Sequence, residues 1–286
     1  MKLDQKQRQS LMVPVEHLAM DAGRRILEIR GKGATVETKP DGSPVSDADL
    51  AADEMICRGL ERLTPSIPII SEETWTEESD NQPDCYWCVD PLDGTRGFLN
   101  GGGDFTVNIA LVSDKHPVLG VIMAPARQMI WLSDGHVAVK RHWEDASQPD
   151  PSPQQIITTR KTSPEKPVVI TTMSKRNQLL QTWLDQLNPG AYLSVGSSLK
   201  FCVLAEGKAD LYPRIGTTME WDTAAGQAIL EAAGGAMIDD TGKRFSYGKA
   251  GRRNAQFTAM GSRDHPVPAT WHPPTDLSLT PKGSGK

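Results

Sequence analysis

The sequence predicts an α/β protein with an α+β first half. Three observations point there. From residue 167 to 239 the apolar pattern switches repeatedly between strand-like runs and helix-like spacing. Before it, two amphipathic helical stretches precede a series of apolar strand-like runs. The chain of 286 residues, 38% hydrophobic, can bury a large core without a disulfide or metal staple.

Taken in order, Leu11, Val15, Leu18, Ala22, Ile26 and Ile29 recur at helical spacing and predict a helix over 10–30, stopped by Gly31 and Gly33. Pro40, Gly42 and Pro44 mark 34–45 as a loop or hairpin. A second helix follows over 46–63, its core face expected to carry Leu50, Ile56, Leu60 and Leu63. Ile67–Ile70, Tyr86–Val89, Phe105–Val112 and Val118–Met123 read as strands. Met129–Leu132 and His136–Val139 flank Ser-Asp-Gly as a hairpin. Pro149, Pro151 and Pro153 make 143–155 the expected linker between an N-terminal region, 1–150, and a C-terminal region, 151–264. Strands are expected at 167–172, 191–195, 209–212 and 236–239, and helices at 175–187, 198–206 and 222–233. Residues 265–286, with five prolines, read as a mobile tail.

A net charge of −5 argues against a nucleic-acid polymer as partner. It leaves small anions open, because acidic residues holding divalent cations reverse the local sign. No run approaches the length of a membrane span, and the opening MKLDQKQRQS is too polar for a signal peptide, so the expected location is the cytoplasm. Cys85 and Cys88 have CxxC spacing, but no second pair or His cluster completes a zinc site, and a buried strand is the expected reading.

The chemistry concentrates in carboxylates. Asp90-Pro91-Leu92-Asp93-Gly94-Thr95 places two of them three residues apart at a strand end, where Pro91 and Gly94 turn the chain and a carbonyl can join them as hard oxygen ligands. Glu72 and Glu73 follow another strand end, Asp222 opens a helix, and Asp49 sits in a helix first turn. Alone, each has a simpler reading: Ser46 and Asp49 as a capping box, Asp222 as a complement to the helix dipole, Glu72 and Glu73 as solvated surface.

Together, Asp90-Pro-Leu-Asp-Gly-Thr95 and Trp221-Asp-Thr-Ala-Ala-Gly226 resemble the paired signature of the inositol monophosphatase superfamily, and Pro44-Val-Ser-Asp-Ala-Asp49 and Ser71-Glu-Glu73 match its other two acidic motifs in order. The resemblance covers residues 10–262. Within the superfamily, Gly94-Thr-Arg-Gly-Phe98, Phe105-Thr-Val-Asn-Ile-Ala-Leu111, Gly196-Ser-Ser-Leu-Lys-Phe201 and Tyr212-Pro-Arg-Ile-Gly216 resemble the CysQ-type 3′(2′),5′-bisphosphate nucleotidases. The chain departs from the pattern at Gly101-Gly-Gly103 and at Ser46, where the family favours Thr.

The resemblance implies a layered αβαβα sandwich and a Mg²⁺-dependent, Li⁺-sensitive phosphomonoesterase that works through metal-activated water. By carry-over, Glu72, Asp90 and the Leu92 carbonyl hold one ion; Asp90, Asp93 and Asp222 hold a second; a third sits near Glu72. Asp49 and Thr95 orient the water and take its proton, and the Gly94 and Thr95 amides cradle the phosphate. No histidine among His17, His116, His136, His142, His265 and His272 lies in a matched motif, so a covalent His mechanism is not expected.

Arg214 stands where inositol-phosphatase members carry an acid that meets sugar hydroxyls. A guanidinium suits a second phosphate instead, and Lys200 and Ser197 complete the expected clamp. The implied substrate is adenosine 3′(2′),5′-bisphosphate, converted to AMP and phosphate as the recycling step of sulfate activation. The alternatives are an inositol or fructose bisphosphate phosphatase and, in another class, a non-catalytic metal- or nucleotide-binding regulator. Monomer and homodimer both stay open, as does peripheral attachment to the cytoplasmic face of the inner membrane.

Overall fold

The computed structural model describes residues 3–39, 42–143, 153–160, 165–171 and 178–262; most of the expected linker and the expected tail lie outside these residues. Helix α1, Gln5–Lys32, starts a turn earlier than its apolar stripe because Asp4 and Gln7 form a reciprocal capping box, with the Gln7 amide donating to Asp4 across 2.8 Å. Strands β1, Val36–Thr38, and β2, Pro44–Ser46, pair antiparallel as the expected hairpin. It feeds α2, Asp47–Leu63.

The face of α2 corrects one expectation. Leu50 is 50% exposed and Leu63 36% exposed, while Ala48, Ala52, Ile56, Gly59 and Leu60 are buried. Small residues win because α2 lies close to α1: a Cβ at Gly59 would come within 2.7 Å of Leu18. Leu50, two positions from both Ala48 and Ala52, faces the opposite way.

A seven-stranded sheet follows, in the order β3, Ile69–Ser71; β4, Cys85–Asp93; β5, Thr106–Ser113; β6, His116–Ala124; β7, Met129–Ser133; β8, Ala138–His142; β9, Gln155–Ile156. Only β3 and β4 pair parallel. Both faces are buried, so the strands alternate between two cores rather than between core and solvent. Cys85, Trp87, Val89, Val107, Ile109, Val121 and Met123 meet α1 and α2. Tyr86, Cys88, Ala110, Val112, Ile122 and Trp131 point the other way. Cys85 and Cys88 therefore lie on opposite faces and are free thiols in a buried strand, as expected.

Helices α5, Leu199–Ala205, and α6, Ala224–Ala232, fill the next layer, after α4, Gln178–Leu187, has been laid on the outer side. Gly120 lets α6 close onto β6: a Cβ there would stand 2.6 Å from the Ala225 carbonyl. The second sheet runs β11, Ala191–Leu193; β10, Val168–Ile170; β12, Leu211–Arg214; β16, Phe257–Met260; β14, Ala236–Asp239, and a small pair joins β13, Thr218–Met219, to β15, Arg253–Asn254. Val169, Leu211 and Met260 face Trp183 and Leu184 of α4, while Ile170, Tyr212 and Phe257 face α5 and α6. The layers are thus helix, sheet, helix, sheet, helix. The core under α6 draws on β4–β7 and on the second sheet alike. Among the described residues no helix is long and apolar enough to cross a membrane.

Candidate active site

The first sheet delivers its carboxylates at one end. Strand β3 stops at Ser71, and the Glu72 amide donates to the Val89 carbonyl across 3.1 Å, which ties Glu72 to β4. Strand β4 was expected to end at Val89 in a turn; it continues to Asp93 with a bulge. Asp90 pairs with Asn108 and Asp93 with Thr106, so Pro91 and Leu92 stand against Val107 alone, two residues against one. Pro91, with no N–H to give the ladder, occupies the irregularity. Asp90 shares the face of Tyr86 and Cys88, and its Oδ1 accepts the Leu92 amide at 3.1 Å. Gly94 follows at φ +92, where a Cβ would approach the Asp104 carbonyl to 2.9 Å, and helix α3, Thr95–Leu99, begins.

Asp222 precedes α6, its Oδ2 accepting the Met219 amide at 2.6 Å. Glu72, Asp90 and Asp222 each bring one oxygen within 4.8 Å of the other two. Asp93 stands beside this trio, half-buried and within the field of the Lys200 charge. Burial and mutual repulsion raise three carboxyls here: Asp90 well above the usual range, Asp93 to about 6 and Asp222 to about 8. Asp90 Oδ2 is buried without a hydrogen-bond partner. An orphaned carboxylate oxygen among clustered acids fits a divalent cation, whose charge would favour their ionised forms.

Asp49 serves in two ways at once. Its Oδ2 accepts the Ser46 amide at 2.8 Å and the Ser46 hydroxyl at 2.5 Å, so the capping reading holds. Its Oδ1 accepts the Thr95 hydroxyl at 3.0 Å, so the pairing with Thr95 is also present.

The site also holds cations. A cavity of about 300 Å³ is lined by Asp93, Gly94 and Asp222 and by Lys200, Tyr212 and Arg214. Burial lowers the Lys200 pKa, and Asp93 opposes that shift. Its Nζ donates to the Ser197 carbonyl at 2.9 Å. Arg214 Nε is buried without a partner. Ser197 reaches the cavity, but its hydroxyl lies between the carbonyls of Asp93, at 3.0 Å, and Asp104, at 2.7 Å. It therefore joins two backbone segments.

Three features escaped the sequence reading. Lys39 Nζ bridges Glu72 at 2.9 Å and Glu73 at 2.8 Å. Burial alone would lower its pKa, but the two acids raise it, while burial lifts Glu73 to about 7. Behind Asp222, the fully buried Glu220 accepts the Tyr86 hydroxyl at 2.8 Å and Arg252 Nη1 at 3.2 Å, and Arg252 Nε donates to Asp80 at 2.8 Å. Asp104 is the third. A Lys in a Pro/Gly loop carries no sequence signal of a partner, and neither does a lone Arg or Asp whose partners lie far along the chain.

The model of the inositol monophosphatase family matches residues 7–263. The chain belongs to the inositol monophosphatase family. Among members of this family, the 3′(2′),5′-bisphosphate nucleotidase CysQ of Salmonella typhimurium is 41% identical over 242 residues, 83% of this chain and 94% of the relative. The CysQ nucleotidase of Escherichia coli K12 is 41% identical over 235 residues, 80% and 91% of the two chains. The crystal structure of CysQ from Bacteroides thetaiotaomicron superposes with a TM-score of 0.76 at 33% identity, covering 90% of this chain and 98% of that one. An inositol monophosphatase from Anabaena, at 22% identity and a TM-score of 0.69, shares the fold. The layered sandwich implied by the motifs is the fold observed.

Proposed function

We propose that this family member is a Mg²⁺-dependent 3′(2′),5′-bisphosphate nucleotidase that converts adenosine 3′(2′),5′-bisphosphate to AMP and phosphate. One observation carries the reading beyond the family: a single cavity is lined both by the carboxylates of Asp93 and Asp222 and by the cations Lys200 and Arg214. Acids able to hold cations together with free cations in one cavity suit a substrate with two phosphates, one to be cleaved and one to be held. The kinship with CysQ nucleotidases at 41% identity supports it.

In this reading Glu72, Asp90 and the Leu92 carbonyl hold one Mg²⁺, and Asp90, Asp93 and Asp222 hold a second. When bound, the ions supply Lewis-acid stabilisation of the phosphoryl oxygens and acidify a water ligand. The chain's own groups do the rest. The Thr95 hydroxyl gives its proton to Asp49 Oδ1. Its lone pairs therefore face outward to accept a proton from the attacking water, with Asp49 as the final acceptor. The Gly94 and Thr95 amides receive the oxygens of the phosphate being cleaved. Lys200 and Arg214 bind the 5′-phosphate as charge-assisted donors.

Steady-state kinetics with Mg²⁺ on adenosine 3′,5′-bisphosphate, inositol 1-phosphate and fructose 1,6-bisphosphate test the proposal. The expected result is the highest kcat/KM on the nucleotide. Faster turnover of either sugar ester would overturn the substrate assignment, and no phosphate release from any of the three would favour a regulator.

A further inference from the structure

Asp104 connects to a cation of the cavity through a short chain of contacts. Its Oδ2 accepts the Gly196 amide at 2.9 Å, and its own carbonyl accepts the Ser197 hydroxyl at 2.7 Å. The Ser197 carbonyl in turn accepts Lys200 Nζ at 2.9 Å. Arg127 holds the carboxylate from the other side, Nε to Oδ1 at 3.1 Å, and these donors keep Asp104 below the usual carboxylate range.

The turn so held is a strained one. Ser197 adopts φ +50, a left-handed conformation that a residue with a Cβ keeps only where its surroundings impose it. Gly196 has no room for a side chain, since a Cβ would lie 2.6 Å from Asp104 Cβ. Released from Asp104, the Gly196–Ser197 turn would relax toward an unstrained backbone. The Ser197 carbonyl would move with it, and so would the ammonium it anchors.

We infer that Asp104 is a positioning residue for substrate specificity: it sets the 196–197 turn so that Lys200 is aimed at the second phosphate of the substrate. The inference rests on the two-phosphate reading above. Asp104 does not line the cavity, so its effect passes through Ser197 and Lys200.

The test compares adenosine 3′,5′-bisphosphate with adenosine 3′-monophosphate, which lacks the remote phosphate. Asp104→Ala removes the carboxylate but keeps the backbone carbonyl that Ser197 uses. It is expected to raise KM for the bisphosphate about tenfold, near the loss of one charge-assisted hydrogen bond. kcat on both nucleotides, and KM for the monophosphate, should stay within about twofold. Asp104→Asn, which still offers Gly196 an acceptor, should recover most of the loss. Equal losses on both nucleotides, or an unchanged KM for the bisphosphate, would overturn the inference. If the unaltered enzyme itself fails to prefer the bisphosphate, the two-phosphate reading falls instead. Should Asp104→Ala melt early, Arg127→Gln puts the same question: a smaller rise in KM confined to the bisphosphate supports the inference, and no rise contradicts it.

Discussion

Thr95 Oγ1 donates to Asp49 Oδ1 across 3.0 Å, joining the first residue of α3 to the third of α2. The same carboxylate accepts both the amide and the hydroxyl of Ser46 through its other oxygen. Asp49 is thus locked in one orientation by its role as a helix cap, and that lock aims Oδ1 at Thr95. Asp49→Asn keeps one acceptor oxygen but loses the base. It should lower kcat by about 10²–10⁴-fold with KM nearly unchanged. Thr95→Ser, which restores the hydroxyl, should fall far less than Thr95→Ala. A Thr95→Ala enzyme with unaltered kcat would remove Thr95 from the proton path.

The acid cluster predicts an inverted response to pH in protein stripped of divalent ions. Asp93 and Asp222 bind protons more tightly folded, at about 6 and about 8, than at the usual value of 3.8. The folded state therefore holds more protons than the unfolded one in this range, and stability falls as pH rises. The contribution is fully present below about 3.8 and is lost as pH rises through about 6 and then about 8. Melting temperatures in chelator should be lower at pH 8.5 than at pH 5.5, and added Mg²⁺ should raise the pH 8.5 value most. A chelated protein with no such decline would show that the four acids do not repel as their burial implies.

Arg214→Glu should act on binding rather than on chemistry. A charge-assisted hydrogen bond contributes about 1.5–3 kcal/mol, so KM for adenosine 3′,5′-bisphosphate should rise at least tenfold. The effect should weaken in high salt, since part of it is long-range attraction. An unchanged KM would count against the clamp.

What the sequence discloses about this site, and what it hides, follows the range of the interactions. Asp90, Asp93, Asp222, Glu72 and Asp49 are legible because the short motifs that hold them resemble, together and in order, the acidic motifs of one superfamily, while each alone reads as a turn, a cap or solvated surface. The extension of β4 past Asp90 is not legible, because Asp-Pro-Leu-Asp-Gly reads locally as a turn and only pairing with β5 draws it out as a bulged strand. Strand β16 was not expected at all; Phe257–Met260 gains its conformation from β12 and β14 on either side. Asp104 and Arg252 carry no local pattern, for their partners stand 23 and 92 residues from the one and 32 and 172 from the other.

Arg252 gives the clearest stability test. It is fully buried, and its guanidinium joins Asp80, Glu220 and the Tyr86 ring, whose centroid is 4.7 Å away. The Tyr86–Glu220 bond ties β4, which carries Asp90, to the turn that carries Asp222. Arg252→Met leaves Asp80 without its cation and Glu220 with Lys249 alone, 3.3 Å away, which should cost about 3 kcal/mol. Glu220→Gln together with Arg252→Met removes one of the two carboxylates that Arg252 pairs, Asp80 remaining, and the amide still accepts the Tyr86 hydroxyl. The double variant should therefore be more stable than Arg252→Met alone, a non-additivity that chemical denaturation can measure. Additive losses would mean that the pair contributes through packing, with little charge coupling between Glu220 and Arg252.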